Sequence, residues 1–258
     1  MCNLVHFFSF GEGRNDAWYR EERLPLELST PGVTQVRSWR TLKAEREDMN
    51  RTNPNLWDRM TEVRFAKLQD AEAALCTETS LWRAENRQGL DRFEGIIVGD
   101  QPQYYLLKDV PPQQYPYMSV PVVWKAGRPP NISPPETADY VRYMYFFNYR
   151  EEVDVRLGEE WYLGHHTREG KQIPGMLTYE TSLRRPLPRL KEFIPELVMF
   201  YRYTEIGQPT IESEQLALSP QSPESPRYMP STHYPQGVLS NWRNFFIPPE
   251  ADIVLVNK

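Results

Sequence analysis

A chain of 258 residues that is 40% hydrophobic, 13% aromatic and 25% charged has the balance of a globular protein, and its length suits two modules of about 100–150 residues. A formal net charge of -5 argues against binding a phosphate backbone, so nucleic acid is not expected as a partner. No apolar run reaches the ~18 residues needed to cross a bilayer, the first ten residues lack the basic start of a secretory signal, and Cys2 and Cys76 form no disulfide or metal framework. A cytoplasmic protein with no membrane partner is expected.

The aromatic run Leu4 to Phe10 reads as a first strand, with His6, Phe8 and Phe10 sharing one face at a period of two. A helix carrying Trp18-Tyr19 follows, then a Pro31-Gly32 turn and a second strand over Thr34 to Thr41. Alternation at Glu62 to Phe65 suits a third strand. Apolar positions Leu68, Ala71, Ala74 and Leu75 suit a second helix, and Phe93 to Lys108 supplies a fourth strand. The pattern βαββαβ is a ferredoxin-like module, placed at residues 1–110.

Eight prolines between Val110 and Pro135 exclude a regular helix and mark an extended connector over residues 111–135. The second half, 136–258, repeats the first. Tyr140 to Asn148 reads as a strand, Trp161-Tyr162 as part of a helix, and Pro174-Gly175 as a turn before a strand over Leu177 to Leu183. Trp18 precedes Pro31 by thirteen residues, and Trp161 precedes Pro174 by the same interval. Glu196 to Thr204 and Gly237 to Ile247 complete the module, whose second helix is displaced by a proline-rich flap over 209–235. Each module covers one sheet face with helices and leaves the other in need of a partner. The expected fold is α+β, with two ferredoxin-like modules packed sheet to sheet as an intramolecular α+β barrel around an apolar cavity, and with both tryptophans buried.

The segment Glu160 to His166, with Trp161 and His165, followed by Ile173-Pro174-Gly175-Met176-Leu177-Thr178-Tyr179, resembles the EthD-like family of dimeric α+β barrel proteins, here as a tandem duplication in one chain. Glu62 to Leu75 is similar to the strand-three and helix-two signature of that family. The resemblance implies small-molecule metabolism, within a superfamily that includes isomerases, decarboxylases, cyclases, monooxygenases and haem enzymes, so the reaction stays open.

Imidazole titrates near neutral pH and suits proton transfer beside an enclosed cavity. His165, His166 and His6 are the catalytic candidates. Leu157, Trp161 and His165 share one helical face, expected to look inward. In the register set by Trp18 and Trp161, Glu22 and Arg23 stand where His165 and His166 stand, so the first half is expected to supply mainly cavity wall. Tyr143, Tyr145, Trp161 and Tyr179 are candidates to bind substrate as an aromatic wall. No phosphate loop, nucleophile elbow or metal-binding helix is present in the sequence, and neither a metal nor a cofactor is expected. The expected function is a cofactor-independent lyase, isomerase or cyclase acting on a hydrophobic aromatic or polyketide-like molecule. A non-catalytic binding or accessory module and a haem- or oxygen-using enzyme are the alternatives, and a homodimer is a further partnership open to this fold.

Overall fold

The computed structural model describes residues 1–43, 56–80, 82–106, 124–126, 139–163, 177–194, 198–208, 210 and 238–257. The connector lies outside these residues except for a short strand at Trp124–Ala126, and so does the flap except for Thr210.

Strand β1 (Cys2–Phe10) is buried on both faces, as a strand must be when helices cover one side of its sheet and a second sheet covers the other. The chain then turns into helix α1 (Asp16–Trp18), whose first turn is capped by Asn15 Oδ1 accepting from the Ala17 and Trp18 N–H groups. It continues through a π-helical turn (Tyr19–Arg23) into α2 (Leu24–Ser29). Pro25 explains the wide turn. It has no N–H for the usual bond to the carbonyl four residues back, and the Leu24 N–H reaches the Tyr19 carbonyl five residues back. Next come β2 (Val33–Arg40), β3 (Arg59–Phe65), α3 (Leu68–Leu75), a 3-10 turn (Ala84–Asn86) and β4 (Leu90–Gly99). The single fourth strand expected over Phe93 to Lys108 is therefore broken, with β5 (Tyr104–Leu106) following and β6 (Trp124–Ala126) after it. The second half supplies β7 (Val141–Tyr149), α4 (Val155–Trp161), β8 (Thr178–Leu183), α5 (Leu190–Phe193), β9 (Arg202–Gln208), β10 (Leu239–Ile247) and β11 (Ile253–Val256).

Two antiparallel sheets result, with orders β11-β2-β3-β1-β4 and β10-β7-β9-β8-β5-β6. Within each lies the order second, third, first, fourth strand, which is the ferredoxin-like arrangement. Strands are also exchanged. β11, from the end of the chain, pairs with β2 in the first sheet, and β5, from the end of the first half, pairs with β8 in the second. The seams between sheets are closed by the Leu42 N–H to the Phe246 carbonyl (2.8 Å) on one side, and by the Arg185 and Phe200 N–H groups to the Ile97 and Gly95 carbonyls on the other.

The space between the sheets is filled. Phe7 meets Trp57 at 4.5 Å, Phe146 at 4.6 Å and Phe245 at 5.0 Å between ring centroids, and Val5, Met60, Ile96, Met144 and Ile247 complete the layer. Large side chains from both inner faces interdigitate across the roughly 10 Å that separates packed sheets, so among the described residues this layer is core rather than cavity wall. Phe146 and Met144 point into this layer, and Tyr143, Tyr145 and Phe147, on alternate positions of the same strand, face the opposite side.

Candidate functional site

A cavity of about 570 Å³ opens on the helix-covered face of the first sheet. Its apolar floor is made by Leu4, Val63, Phe65, Ala74 and Leu75, and its polar centre by His6, Arg23 and Glu27, which are 2%, 3% and 1% exposed. His6 is on β1 beside Phe8, and Arg23 and Glu27 lie one helical turn apart, so they share a face that the π-helical turn directs at the strand.

His6 Nε2 lies 3.2 Å from Glu27 Oε1, and Arg23 Nε lies 3.5 Å from the same oxygen. Arg23 Nη1 donates to the Asn86 carbonyl at 3.0 Å. Burial lowers the Arg23 guanidinium from its ordinary value, against the charge of Glu27. Three kinds of atom remain without a hydrogen-bond partner among the described residues: His6 Nδ1, Glu27 Oε2, and Arg23 Nε and Nη2. Buried polar atoms are nearly always satisfied, and these stand together at the polar centre of the cavity. With the proton on Nε2 and donated to Glu27, Nδ1 keeps its lone pair and can accept a second proton.

The surroundings hold the imidazole still. Its ring stacks on Phe93 at 4.9 Å and takes the edge of Trp82 at 6.2 Å. Trp82 reaches this place because the residue opposite His6 on β4 is Gly95, where any Cβ would strike the Trp82 ring and the Val5 carbonyl. At the mouth, the Arg14 guanidinium lies 5.1 Å from the Trp18 ring centroid, and the Trp18 ring closes over Gly89, which takes a positive φ of 84°.

The helix-covered face of the second sheet is built differently. Tyr145 occupies the place of His6, since His6 pairs with Thr61 on β3 and Tyr145 with Thr204 on β9. Asn244 stands opposite it, where the first sheet has Gly95, and donates to the Tyr143 hydroxyl at 2.7 Å. Tyr143, Tyr145 and Tyr179 are all buried in this second cluster, and the Tyr179 hydroxyl lies 3.2 Å from that of Tyr162. Trp161 is half-buried. The inward face of α4 is not that of Leu157 and Trp161, for Leu157 is exposed and the buried residue is Tyr162, one turn after Gly158, which packs against the Tyr149 ring. Trp18 is likewise half-buried, and the buried neighbour is Tyr19. In both helices the tyrosine has a hydroxyl partner on the sheet, and that bond sets the rotation. His165 and His166 lie outside the described residues.

Beneath both helices lies the same polar clamp. Tyr19 OH meets Thr61 Oγ1 at 2.8 Å, Ser38 lies 2.9 Å from Thr61, and Arg59 Nε donates to Ser38 at 3.0 Å and binds Asp16. In the second half Tyr162 meets Thr204, Thr181 lies 3.0 Å from Thr204, and Arg202 donates to Thr181 at 2.8 Å and binds Glu159. Each guanidinium lies over its tyrosine ring, at 5.0 and 5.2 Å. Strand order, clamp and burial decide the fold.

The α+β barrel is shared with an anthrone oxidase-like protein. The likeness spans 99% of this chain and 92% of that one, with a TM-score of 0.57 and 9% identity, a level that establishes common fold and nothing of chemistry. A chlorite dismutase from Candidatus Nitrospira defluvii aligns over 96% of this chain and 91% of its own, at a TM-score of 0.43 and 10% identity, and adds nothing to that conclusion. No family model matches the sequence, and no curated protein matches it.

The sequence marks His6 as an acid-base candidate and gives no motif for Glu27 and Arg23. The signal for them was the Arg23, Glu27 spacing on the helix that faces His6. The departure at Glu22-Arg23 from the two histidines of the second half, read as a loss of chemistry, supplies the guanidinium of the described cavity. No cluster of three or more His, Cys, Asp or Glu able to hold a metal occurs among the described residues. Burial raises the Cys2 thiol to about 11, which keeps it protonated and unreactive at neutral pH. No helix among the described residues is long and apolar enough to cross a membrane.

Proposed function

We propose that the chain is a small-molecule enzyme whose first-half cavity binds a hydrophobic, aromatic or polyketide-like substrate, with His6 moving the proton. The observation that carries this reading is the His6, Glu27, Arg23 cluster at the polar centre of a cavity with an apolar floor. In the step envisaged, a C–H or O–H bond of the substrate breaks, its proton passes to His6 Nδ1, and the imidazolium is held by the Glu27 carboxylate. Return of the same proton to a different atom gives isomerisation or drives ring closure, so atoms and electrons balance without a cofactor. Glu27 acts through His6 by holding its ring, as a positioning residue.

The two halves are read as a tandem duplication of an EthD-like module, joined by the proline-rich connector, in a cytoplasmic protein. His165 and His166 stay candidates for an equivalent role in the second half, with Tyr143, Tyr145, Trp161 and Tyr179 as its aromatic wall. The depth of His6 favours a second reading, a non-catalytic carrier of an apolar ligand.

Mass spectrometry of whatever co-purifies with the chain supplies the assay compound. Turnover of that compound should fall by at least a hundredfold in His6→Asn, with circular dichroism and unfolding midpoint retained. A compound returned unchanged by the wild type moves the reading to the carrier, and a Soret band near ~400 nm moves it to a haem- or oxygen-using enzyme. Full turnover in His6→Asn sinks the mechanism.

A further inference from the structure

We infer that Arg23 is the specificity-determining residue of the cavity and that it reads an uncharged oxygen acceptor, such as a carbonyl or ether, on an otherwise apolar ligand. This rests on the cavity of the proposed function, and does not require that His6 be catalytic. Nη1 of Arg23 is committed to the Asn86 carbonyl, while Nη2 has no partner and Nε stands at 3.5 Å from Glu27, outside hydrogen-bond geometry. Fixing one nitrogen on a main-chain carbonyl points the guanidinium without using up its donors, and Arg carries five of them in a rigid fork. A buried donor left unsatisfied costs free energy until a ligand oxygen arrives.

The charges around the cavity select the kind of oxygen. At the centre Arg23 is offset by Glu27, and at the rim Arg14 by Glu22 at 3.8 Å. A carboxylate ligand would add an anion that no further arginine or lysine among the described lining residues meets, in a place where charge is costly to bury. A neutral acceptor satisfies Nη2 at no such cost. The body of the ligand then lies against Leu4, Val63, Phe65 and Leu75, with Trp82 as the wall.

Three naphthalenes of nearly one shape test this by equilibrium dialysis: 2-acetylnaphthalene, 2-ethylnaphthalene and 2-naphthoate. The ketone is expected to bind wild-type protein about tenfold tighter than the hydrocarbon, as a site built to donate a hydrogen bond rejects the analogue without an acceptor. The naphthoate should bind more weakly than the ketone. In Arg23→Gln the ketone should fall to within about twofold of the hydrocarbon. Equal binding of ketone and hydrocarbon by the wild type overturns the inference while leaving the cavity as a binding site, and so does naphthoate binding most tightly. Absence of binding by all three removes the cavity reading itself and this inference with it. If Arg23→Gln does not fold, the wild-type comparison decides.

Discussion

His6 and Tyr145 hold the same position in two sheets of one plan, and around them the plan diverges. Opposite His6 a glycine leaves room for Trp82, which lines the cavity; opposite Tyr145 an asparagine stands and donates to a neighbouring tyrosine. The clamp below is the same in both, down to the hydroxyl on each β-strand and the guanidinium over each ring. A buried cation cannot be changed one partner at a time without leaving a charge unpaired, which ties the members of the clamp together. The helix-covered faces carry different bonds in the two halves, His6 and Arg23 with Glu27 in the first and Asn244 with Tyr143 in the second.

The strongest way to break the comparison is at the clamps. Arg59→Met and Arg202→Met should each lower stability by about 2–4 kcal/mol in chemical denaturation, because each strips a buried hydroxyl network of its charged donor. A neutral result for one and a large loss for the other would show that the two clamps are alike in geometry and not in role. A smaller effect is expected where the faces differ. Gly95→Ala should cost about 1–3 kcal/mol, since its methyl meets a main-chain carbonyl and an indole that must shift. The near-ultraviolet circular dichroism of Trp82 should change with it, and an unchanged spectrum would show that Gly95 does not seat this ring.

The smallest effect concerns acid. Burial alone would raise the Asp16 carboxyl, but hydrogen bonds from Arg40 and Arg20 and the charge of Arg59 outweigh it and hold the group well below the ordinary carboxylate range. A folded-state value depressed in this way adds stability above the unfolded value of about 3.9, and that stability is lost as pH falls below it. Between pH 5 and pH 2 the wild type should lose about 1 kcal/mol more than Asp16→Asn, with salt reducing the difference. Equal acid limbs would show that Asp16 does not carry this dependence.

Much of the fold could be read from residues alone. The matched interval from Trp18 to Pro31 and from Trp161 to Pro174 agrees with the like strand order of the two sheets, and the same register runs on unbroken to Arg59 and Arg202 and to Thr61 and Thr204. Those later matches are polar, and a search for strand alternation in apolar residues passes over them. It also set the third strand of the second half too early, at Glu196, where the strand begins at Arg202. The site was less legible. Periodicity put His6 on the face of Phe8 but could not say which side of the sheet that face sees, and the aromatic layer between the sheets shows that both faces were dense enough to be core. Glu27 and Arg23 become meaningful only once the helix is laid across β1.

The exchange of strands has a consequence for how the chain is made. Ile253 of β11 pairs with Ser38 of β2, so the edge of the first sheet waits for a strand synthesised long after β2. Until then β2 offers open main-chain donors and acceptors, the feature that recruits stray strands and aggregates. Contacts this distant in sequence also form slowly. The first half is therefore expected to emerge as a sheet with an unfinished border and to gain its final protection against hydrogen exchange along β2 only when β11 has been made and docks, which makes β11 a late fastening for a module whose other parts come first.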